Sequence, residues 1–114
     1  RARIAAFRDM GTGVGTATAE LLEFFERFDE EKYGTDGGPL HDPCVIAYLL
    51  KPELFKGRLI NVMVETASEL TMGMTVADWW GVSGRVPNAL FLRDVRAEAF
   101  FALLTDRIEA LDRA

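Results

Sequence analysis

Cysteine and histidine are almost absent from this sequence of 114 residues, which contains one of each, Cys44 and His41. A single cysteine cannot form an internal disulfide bond, so the cysteine content does not indicate an oxidising compartment. The sequence also lacks the pattern of charge, apolar run and small residues that marks a secretory signal. We therefore expect a cytoplasmic location.

Long runs of one chemical character are missing as well. The 13 basic residues are outnumbered by 18 acidic ones and are scattered along the chain, so we expect no nucleic-acid partner. No apolar stretch approaches the roughly 18 residues that a membrane span needs, so no membrane association is expected. The sequence contains no P-loop, no dinucleotide-binding glycine fingerprint and no EF-hand loop.

The composition that remains is that of a folded protein. Hydrophobic residues make up 49% of the chain and include eight phenylalanines, which is enough to fill a core. At this length one domain is the usual organisation, and a substantial part of the surface can be buried. The composition therefore argues against disorder and predicts a single domain over residues 1–114.

Two helices are predicted in the N-terminal part. The first covers residues 2–10. The second begins after Thr12 or Thr16, either of which can cap it, and runs to about Lys32, where Gly34 is well placed to end it. Apolar residues recur along the second helix at steps of three and four, which favours core packing over a cofactor or partner groove. This apolar stripe consists of Ala17, Leu21, Phe24, Phe25 and Phe28.

The C-terminal part predicts a helix, three strands and a final helix. Their ranges are 43–50 for the helix, 59–66, 72–79 and 89–93 for the strands, and 97–112 for the last helix. Because the connections between the strands are short, we expect the strands to pair antiparallel.

The loop from Gly34 to Cys44 carries the residues best suited to chemistry. Asp42 precedes Pro43, which helices tolerate in their first turn, so Asp42 can be a helix cap with His41 beside it. Alternatively, Asp42 binds a hard cation such as calcium, and His41 acts next to it as an acid, base or hydrogen-bond donor. A Cys44–His41 nucleophile pair is conceivable, but a small buried thiol is the favoured interpretation.

Several segments together resemble a known family. The run EKYGTDGGPLHDP at 31–43 is followed by Ala-Tyr-Leu-Leu at 47–50 and a proline at 52. Downstream lie Val-Met-Val-Glu at 62–65, a Gly-x-Thr-x-x-Asp strand at 73–78, Pro-Asn at 87–88 and a helix with Phe-Phe at 100–101. This arrangement resembles the C-terminal part of the inosine-uridine preferring nucleoside hydrolases, and the resemblance covers essentially the whole chain.

The resemblance implies a site and a reaction. The family hydrolyses the N-glycosidic bond between ribose and a purine or pyrimidine base, in nucleoside catabolism, and uses a bound calcium ion. Asp42 matches the family's C-terminal calcium ligand, and His41 matches the catalytic histidine that faces the leaving base. Tyr33 matches an aromatic residue near the base and a mobile lid. Tyr33, His41 and Asp42 are thus the expected substrate-binding residues, and a homo-oligomer is the expected assembly.

The resemblance also implies an α/β fold in which several helices pack on about three strands of a mixed sheet. The family's N-terminal Asp-x-Asp-Pro-Gly-x-Asp-Asp motif, which supplies most calcium ligands and the catalytic base, does not occur in these 114 residues. We therefore expect the C-terminal third to half of such an enzyme, inactive alone and with weak or absent calcium binding.

Three hypotheses remain open from the sequence. The chain is part of a nucleoside hydrolase that needs the missing motif, or a non-catalytic interaction or structural domain derived from that fold. The third is an unrelated module in which Asp42 only caps a helix. His41 together with Tyr33 favours the inosine-uridine or pyrimidine-preferring group over a purine-specific one.

Overall fold

The computed structural model describes residues 2–34 and 37–111, and these form four α-helices and three β-strands. The helices are α1 (Ala2–Arg8), α2 (Gly13–Tyr33), α3 (Pro43–Leu50) and α4 (Ala97–Leu111). The strands are β1 (Phe55–Val64), β2 (Thr75–Asp78) and β3 (Ala89–Val95), and a short 3₁₀ turn at Pro52–Leu54 precedes β1. Thr35 and Asp36 of the predicted loop, and Asp112 at the predicted end of the last helix, lie outside the described residues.

The α/β class and the number of elements are confirmed. The three strands form one sheet in the order β2-β1-β3, and both pairs are antiparallel, as the short connections predict. The first strand begins at Phe55 rather than at the predicted Leu59, and β2 is shorter than predicted.

The elements fall into two compact units. The helical unit comprises Arg1–Pro52 and Ala97–Ala114, and the sheet unit comprises Glu53–Arg96. The buried apolar side chains of the helical unit are Phe7, Ala19, Ala47, Phe100 and Leu103. Those of the sheet unit are Leu54 and Ile60.

Local chemistry sets the ends of α2. Thr12 has extended backbone angles, and its hydroxyl accepts a hydrogen bond from the Gly15 amide at 3.0 Å, which is the N-cap arrangement. At the other end Gly34 adopts a left-handed conformation with φ of 65°, and its amide donates to the Glu30 carbonyl. Both predicted boundary residues therefore act as expected.

The prediction that the phenylalanines of α2 pack in a core is wrong for this chain. Phe24, Phe25 and Phe28 are 68%, 62% and 56% exposed, and Leu21 is exposed as well. Only the small residues Gly15 and Ala19 are buried on this helix. The apolar periodicity is present, but the described residues contain no surface that covers it.

The sheet unit is held by pairing that is distant in sequence. Asn88 clamps β1, since its side chain accepts from the Val62 amide at 2.8 Å and donates to the Val62 carbonyl at 3.0 Å. The β1–β3 register shifts between Lys56 and Gly57. A Cβ added at Gly57 would lie 2.6 Å from the carbonyl oxygen of Phe91, so only glycine allows this close approach.

Across the described ranges, no helix combines the length and the apolar character that crossing a membrane would require.

Candidate functional site

The loop that carries the predicted site starts where α2 ends. Tyr33 is the last residue of α2, and its side chain is exposed. The ammonium group of Lys32 lies 5.2 Å from the centre of the Tyr33 ring. Beyond the two undescribed residues, the loop backbone passes close to α2, because a Cβ added at Gly38 would lie 2.6 Å from an Asp29 carboxylate oxygen.

His41 and Asp42 stand side by side at the start of α3, with both side chains in solvent. The Nε2 atom of His41 lies 3.7 Å from Oδ1 of Asp42, and the two side chains are 75% and 87% exposed. Such a distance is an ion-pair contact only when the imidazole is protonated, and solvent screening leaves an exposed pair with little stabilising effect.

Asp42 holds the position of a helix cap without acting as one. The first turn is closed by backbone bonds from the Cys44 amide to the His41 carbonyl and from the Val45 amide to the Asp42 carbonyl. Pro43 is the first helical residue, as predicted. The Asp42 backbone is already helical (φ −57°, ψ −45°), and its side chain accepts no capping hydrogen bond. The capping interpretation is therefore wrong, and the carboxylate remains available to another partner.

Cys44 shows no sign of a nucleophile. Its side chain is half-buried, and the thiol points to the Leu40 carbonyl oxygen at an Sγ–O distance of 3.7 Å. Burial raises the pKa of this thiol, which lowers its thiolate fraction near neutral pH. The structure thus favours the interpretation of Cys44 as a packing residue.

An apolar groove of about 600 Å³ adjoins the start of α3, and the sequence patterns did not predict it. It runs between α3 and α4, and among the described residues Asp42 and Arg107 are the charged ones that line it. Its apolar walls are formed by Pro43, Ile46, Ala47 and Leu50 on one side and by Phe100, Leu103, Leu104, Ile108 and Leu111 on the other. The four-residue spacing of Ile46 and Leu50, and of Phe100, Leu104 and Ile108, is the sequence signal that could have indicated two facing helix surfaces.

The described residues supply one carboxylate to this site. Within residues 2–34 and 37–111, no group of three or more His, Cys, Asp or Glu side chains lies close enough to hold a metal ion. A calcium ion takes six to eight oxygen ligands. An exposed carboxylate that accepts no capping bond, as at Asp42, has the chemistry of a calcium ligand, but one carboxylate does not meet that requirement.

A second aspartate, Asp78, has the opposite surroundings. Its carboxylate accepts from the amides of Val82 and Ser83 at 2.8 and 2.9 Å and from the Ser83 hydroxyl at 2.5 Å. The bonds from Ser83, with smaller ones from the backbone, lower the pKa of Asp78. Both oxygens of this carboxylate accept hydrogen bonds that close the turn after β2, whereas Asp42 accepts no capping bond.

Comparison with known proteins gives a family match over most of the chain. Residues 1–102 match the family model described as inosine-uridine preferring nucleoside hydrolase. The sequence is 49% identical over 108 residues to the pyrimidine-specific ribonucleoside hydrolase RihA of Klebsiella pneumoniae. It is 50% identical over 104 residues to RihA of Escherichia coli. These alignments cover 94% and 90% of the chain but 35% and 33% of the two relatives.

Solved structures agree in fold. The purine-preferring ribonucleoside hydrolase of Gardnerella vaginalis superimposes with a TM-score of 0.77 at 26% identity, over 96% of this chain and 35% of that one. A plant nucleoside hydrolase superimposes with a TM-score of 0.74 at 22% identity, over 94% and 36%, and it supports the fold alone. The chain thus spans about one third of the length of the proteins that it matches.

Proposed function

The chain belongs to the inosine-uridine preferring nucleoside hydrolase family, and we propose that it supplies one wall of a ribonucleoside hydrolase active site. The proposed reaction cleaves the N-glycosidic bond of a ribonucleoside to release the base and ribose. The observation that carries the proposal is the state of Asp42, an exposed carboxylate at a helix start that accepts no capping hydrogen bond, in a family match covering residues 1–102.

Asp42 is assigned to calcium in this proposal. When bound, calcium polarises the attacking water, as metal ions do in other hydrolases. The single carboxylate found here meets part of the oxygen requirement of a calcium ion. The carboxylates that complete the site belong to the two thirds of the fold that these 114 residues do not contain, and calcium binding by this chain alone should be weak.

His41 is assigned to the leaving base. Cleavage passes through an oxocarbenium-like sugar, and negative charge develops on the departing base. An imidazole can donate a hydrogen bond or a proton to that base. The ring of His41 is exposed and lies beside Asp42, so a nucleoside bound at Asp42 would be within its reach.

Tyr33 is assigned to the rim of the base pocket. Its ring ends α2 and is exposed, and the loop that follows carries His41 and Asp42. An exposed aromatic face can stack on a flat heterocycle. With the high identity to pyrimidine-specific relatives, this supports uridine and cytidine as substrates ahead of purine nucleosides.

Ribose release tests the proposal. The 114-residue chain, incubated with uridine or inosine and calcium chloride, is expected to release no ribose above the buffer rate. When the part of E. coli RihA that this chain does not match is supplied with it, ribose release should appear. Asp42→Asn in that assembly should then lower the rate by about 100-fold or more, since a metal ligand is lost.

Asp9→Asn is the matched control, because it removes an exposed carboxylate at the end of α1 and should leave the rate unchanged. Robust turnover by the chain alone would contradict the need for the missing carboxylates. An assembly as active with Asp42→Asn as without it would contradict the role of Asp42.

A second candidate function is supported by the exposed phenylalanines of α2. An apolar surface of this kind is typical of a protein–protein contact, and a non-catalytic interaction or structural domain would use it for association. Light scattering, together with the ribose assay, distinguishes the interaction domain from the hydrolase. Under this alternative the chain self-associates or binds a partner while no assembly with a RihA piece ever releases ribose.

A further inference from the structure

Two arginines of the sheet unit share one aromatic ring. The guanidinium carbons of Arg58, on β1, and Arg93, on β3, each lie 4.9 Å from the centre of the Trp79 ring. The two cations are therefore no more than twice this distance apart. The Trp79 ring also packs edge-on against Phe91, with the ring centres 6.4 Å apart, which holds the half-buried indole in place. Arg58, Trp79, Phe91 and Arg93 are called the Arg–Trp cluster below.

An irregularity of the sheet places the second arginine. The register between β1 and β3 shifts between Lys56 and Gly57, and Arg93 is the extra residue of β3, without a Cα partner on β1. Such bulges turn a side chain away from its regular direction and are frequent next to functional sites. The close approach of β3 at Gly57 thus accompanies an arginine whose guanidinium lies over Trp79.

Neither arginine of the cluster has a carboxylate counter-ion among the described residues. The ion pairs found there include no arginine of the sheet unit. Two nearby carboxylates make other bonds, since Asp94 accepts from the Val95 amide at 2.9 Å and Asp78 accepts from its own turn. Arg58 and Arg93 are both exposed, so their charges remain open to a ligand from solvent.

The spacing of the two cations indicates what kind of ligand fits. Like charges within a Debye length, about 10 Å at an ionic strength of about 0.1 M, still repel each other. A doubly charged anion between them removes that repulsion. Each guanidinium is a planar fork with several N–H donors, and Arg58 donates from Nη1 to the Trp79 carbonyl at 2.8 Å, which leaves its other donors available. Paired guanidinium forks match the oxygens of a phosphate group in charge and in geometry.

We propose that the Arg–Trp cluster binds a phosphate dianion, either free or as the phosphate group of a small phosphorylated metabolite. A small ligand fits better than an acidic macromolecule, because the cluster offers two cations around one ring and the whole chain has a net charge of −5, which opposes a polyanion. The cluster contains neither His41 nor Asp42 and lies within the sheet unit, so this inference does not rest on the proposed reaction.

Fluorescence of Trp79 tests the inference. Trp80 is 78% exposed, and Trp80→Phe leaves Trp79 as the only indole of the chain. Sodium phosphate titrated into this form should change the Trp79 emission to saturation, and sodium chloride at equal ionic strength should not. Ribose 5-phosphate should bind in the same way, and ribose should not. A lower dissociation constant for ribose 5-phosphate than for phosphate would identify a phosphorylated metabolite as the ligand, and equal constants would identify free phosphate.

Substitutions assign the binding to the cluster. Arg93→Gln should weaken phosphate binding about 10-fold or more, as expected for a lost hydrogen bond to a charged group. Arg93→Lys keeps the charge but loses the fork, and it should weaken binding to a smaller extent. Arg85→Gln is the matched control, because it removes the same charge from the same unit, at a guanidinium that contacts the Met63 sulfur. Its dissociation constant should equal that of the parent.

Circular dichroism first establishes that each variant is folded. Arg93 is exposed and takes no part in the bond from Arg58 to Trp79, so its replacement should leave the fold intact. If Arg93→Gln does not fold, Arg93→Lys decides the role of this residue.

Four outcomes would overturn the inference. They are equal emission changes in phosphate and in chloride, equal affinity for ribose and ribose 5-phosphate, full affinity after loss of the Arg93 guanidinium, and equal weakening by Arg85→Gln. The last would show that net charge attracts the anion without the cluster. Because the titration uses neither calcium nor ribose release, a failure of the proposed hydrolase function would leave this result unchanged.

Discussion

The turn after β2 and the turn before α3 each contain an aspartate, and the two carboxylates are used differently. Asp78 accepts three hydrogen bonds from Val82 and Ser83, which close its own loop. Asp42 stands at a position where aspartate normally caps a helix and accepts no capping bond. The first carboxylate closes its own turn, whereas the second makes no corresponding bond at the start of its helix.

Two isoleucines, one in the sheet unit and one on α3, also differ in their exposure to solvent. Ile60, in the central strand β1, is 3% exposed, whereas Ile46, on α3, is 60% exposed. Both are apolar side chains in regular elements. Asp78 and Ile60 thus find their partners within the sheet unit, while the start of α3 has a carboxylate without a capping bond and an exposed apolar side chain.

The difference suggests which residues determine the stability of this chain and which serve its function. Residues whose side chains are satisfied within the 114 residues should matter for unfolding. Residues that are unsatisfied should matter only when a ligand or another part of the fold is present. In each prediction below, both residues of a matched pair are substituted, and the effects of the two substitutions on stability are compared.

The isoleucine pair should give the largest difference in stability. Ile60→Ala leaves a cavity and should lower the free energy of unfolding of the sheet unit by about 2–5 kcal/mol. Ile46→Ala removes exposed atoms and should change the stability of the helical unit by less than about 0.5 kcal/mol. Both tryptophans, Trp79 and Trp80, lie in the sheet unit, so their fluorescence in urea reports on it, and far-UV circular dichroism reports on the helices.

If Ile46→Ala lowered the free energy of unfolding as much as Ile60→Ala does, the Ile46 side chain would be buried in solution, and a contact would already cover α3. Light scattering on the same samples would then identify self-association as the cover.

The aspartate pair should give a smaller difference that depends on pH. The pKa of Asp78 is lowered in the folded state, so its bonds stabilise the turn above the unfolded pKa near 3.8. That contribution is lost as the pH falls through the lowered folded pKa. Asp78→Asn should therefore lower the urea midpoint at pH 7, and the gap to the parent should close toward pH 2.

Asp42→Asn serves as the matched change and should alter the urea midpoint little at either pH. A gap between Asp78→Asn and the parent that is the same at pH 7 and pH 2 would show that the carboxylate charge is not what holds the turn.

Local features of the fold were predictable from the sequence because their causes lie within a few residues. Thr12 caps α2, Gly34 ends it with a positive φ, and Pro43 starts α3, each through its own backbone preference. The positions of His41 and Asp42 side by side at the start of α3 follow from the same local pattern, a glycine-rich turn before a helix, while their role in a site stays a prediction.

Features that depend on distant partners were not predictable. The start of β1 was missed because Lys56-Gly57-Arg58 does not alternate, and its pairing is with β3, more than 30 residues away. The phenylalanines of α2 have the periodicity of a core helix, but periodicity cannot tell whether the covering surface is part of the same 114 residues. The spacing of apolar residues marks one apolar surface on α3 and one on α4, but the groove also depends on the two helices lying side by side, although they are about 50 residues apart in the sequence.

Calorimetric titration of calcium into the assembled protein, formed from this chain and the unmatched part of RihA, tests the central claim most directly. The claim is that the Asp42 carboxylate, which makes no capping bond in this chain, binds calcium when the rest of the site is present. We predict one calcium site per assembly, about 100-fold weaker with Asp42→Asn and unchanged with Asp78→Asn at a temperature where both variants are folded. Equal calcium affinity in the parent and in Asp42→Asn would contradict the claim.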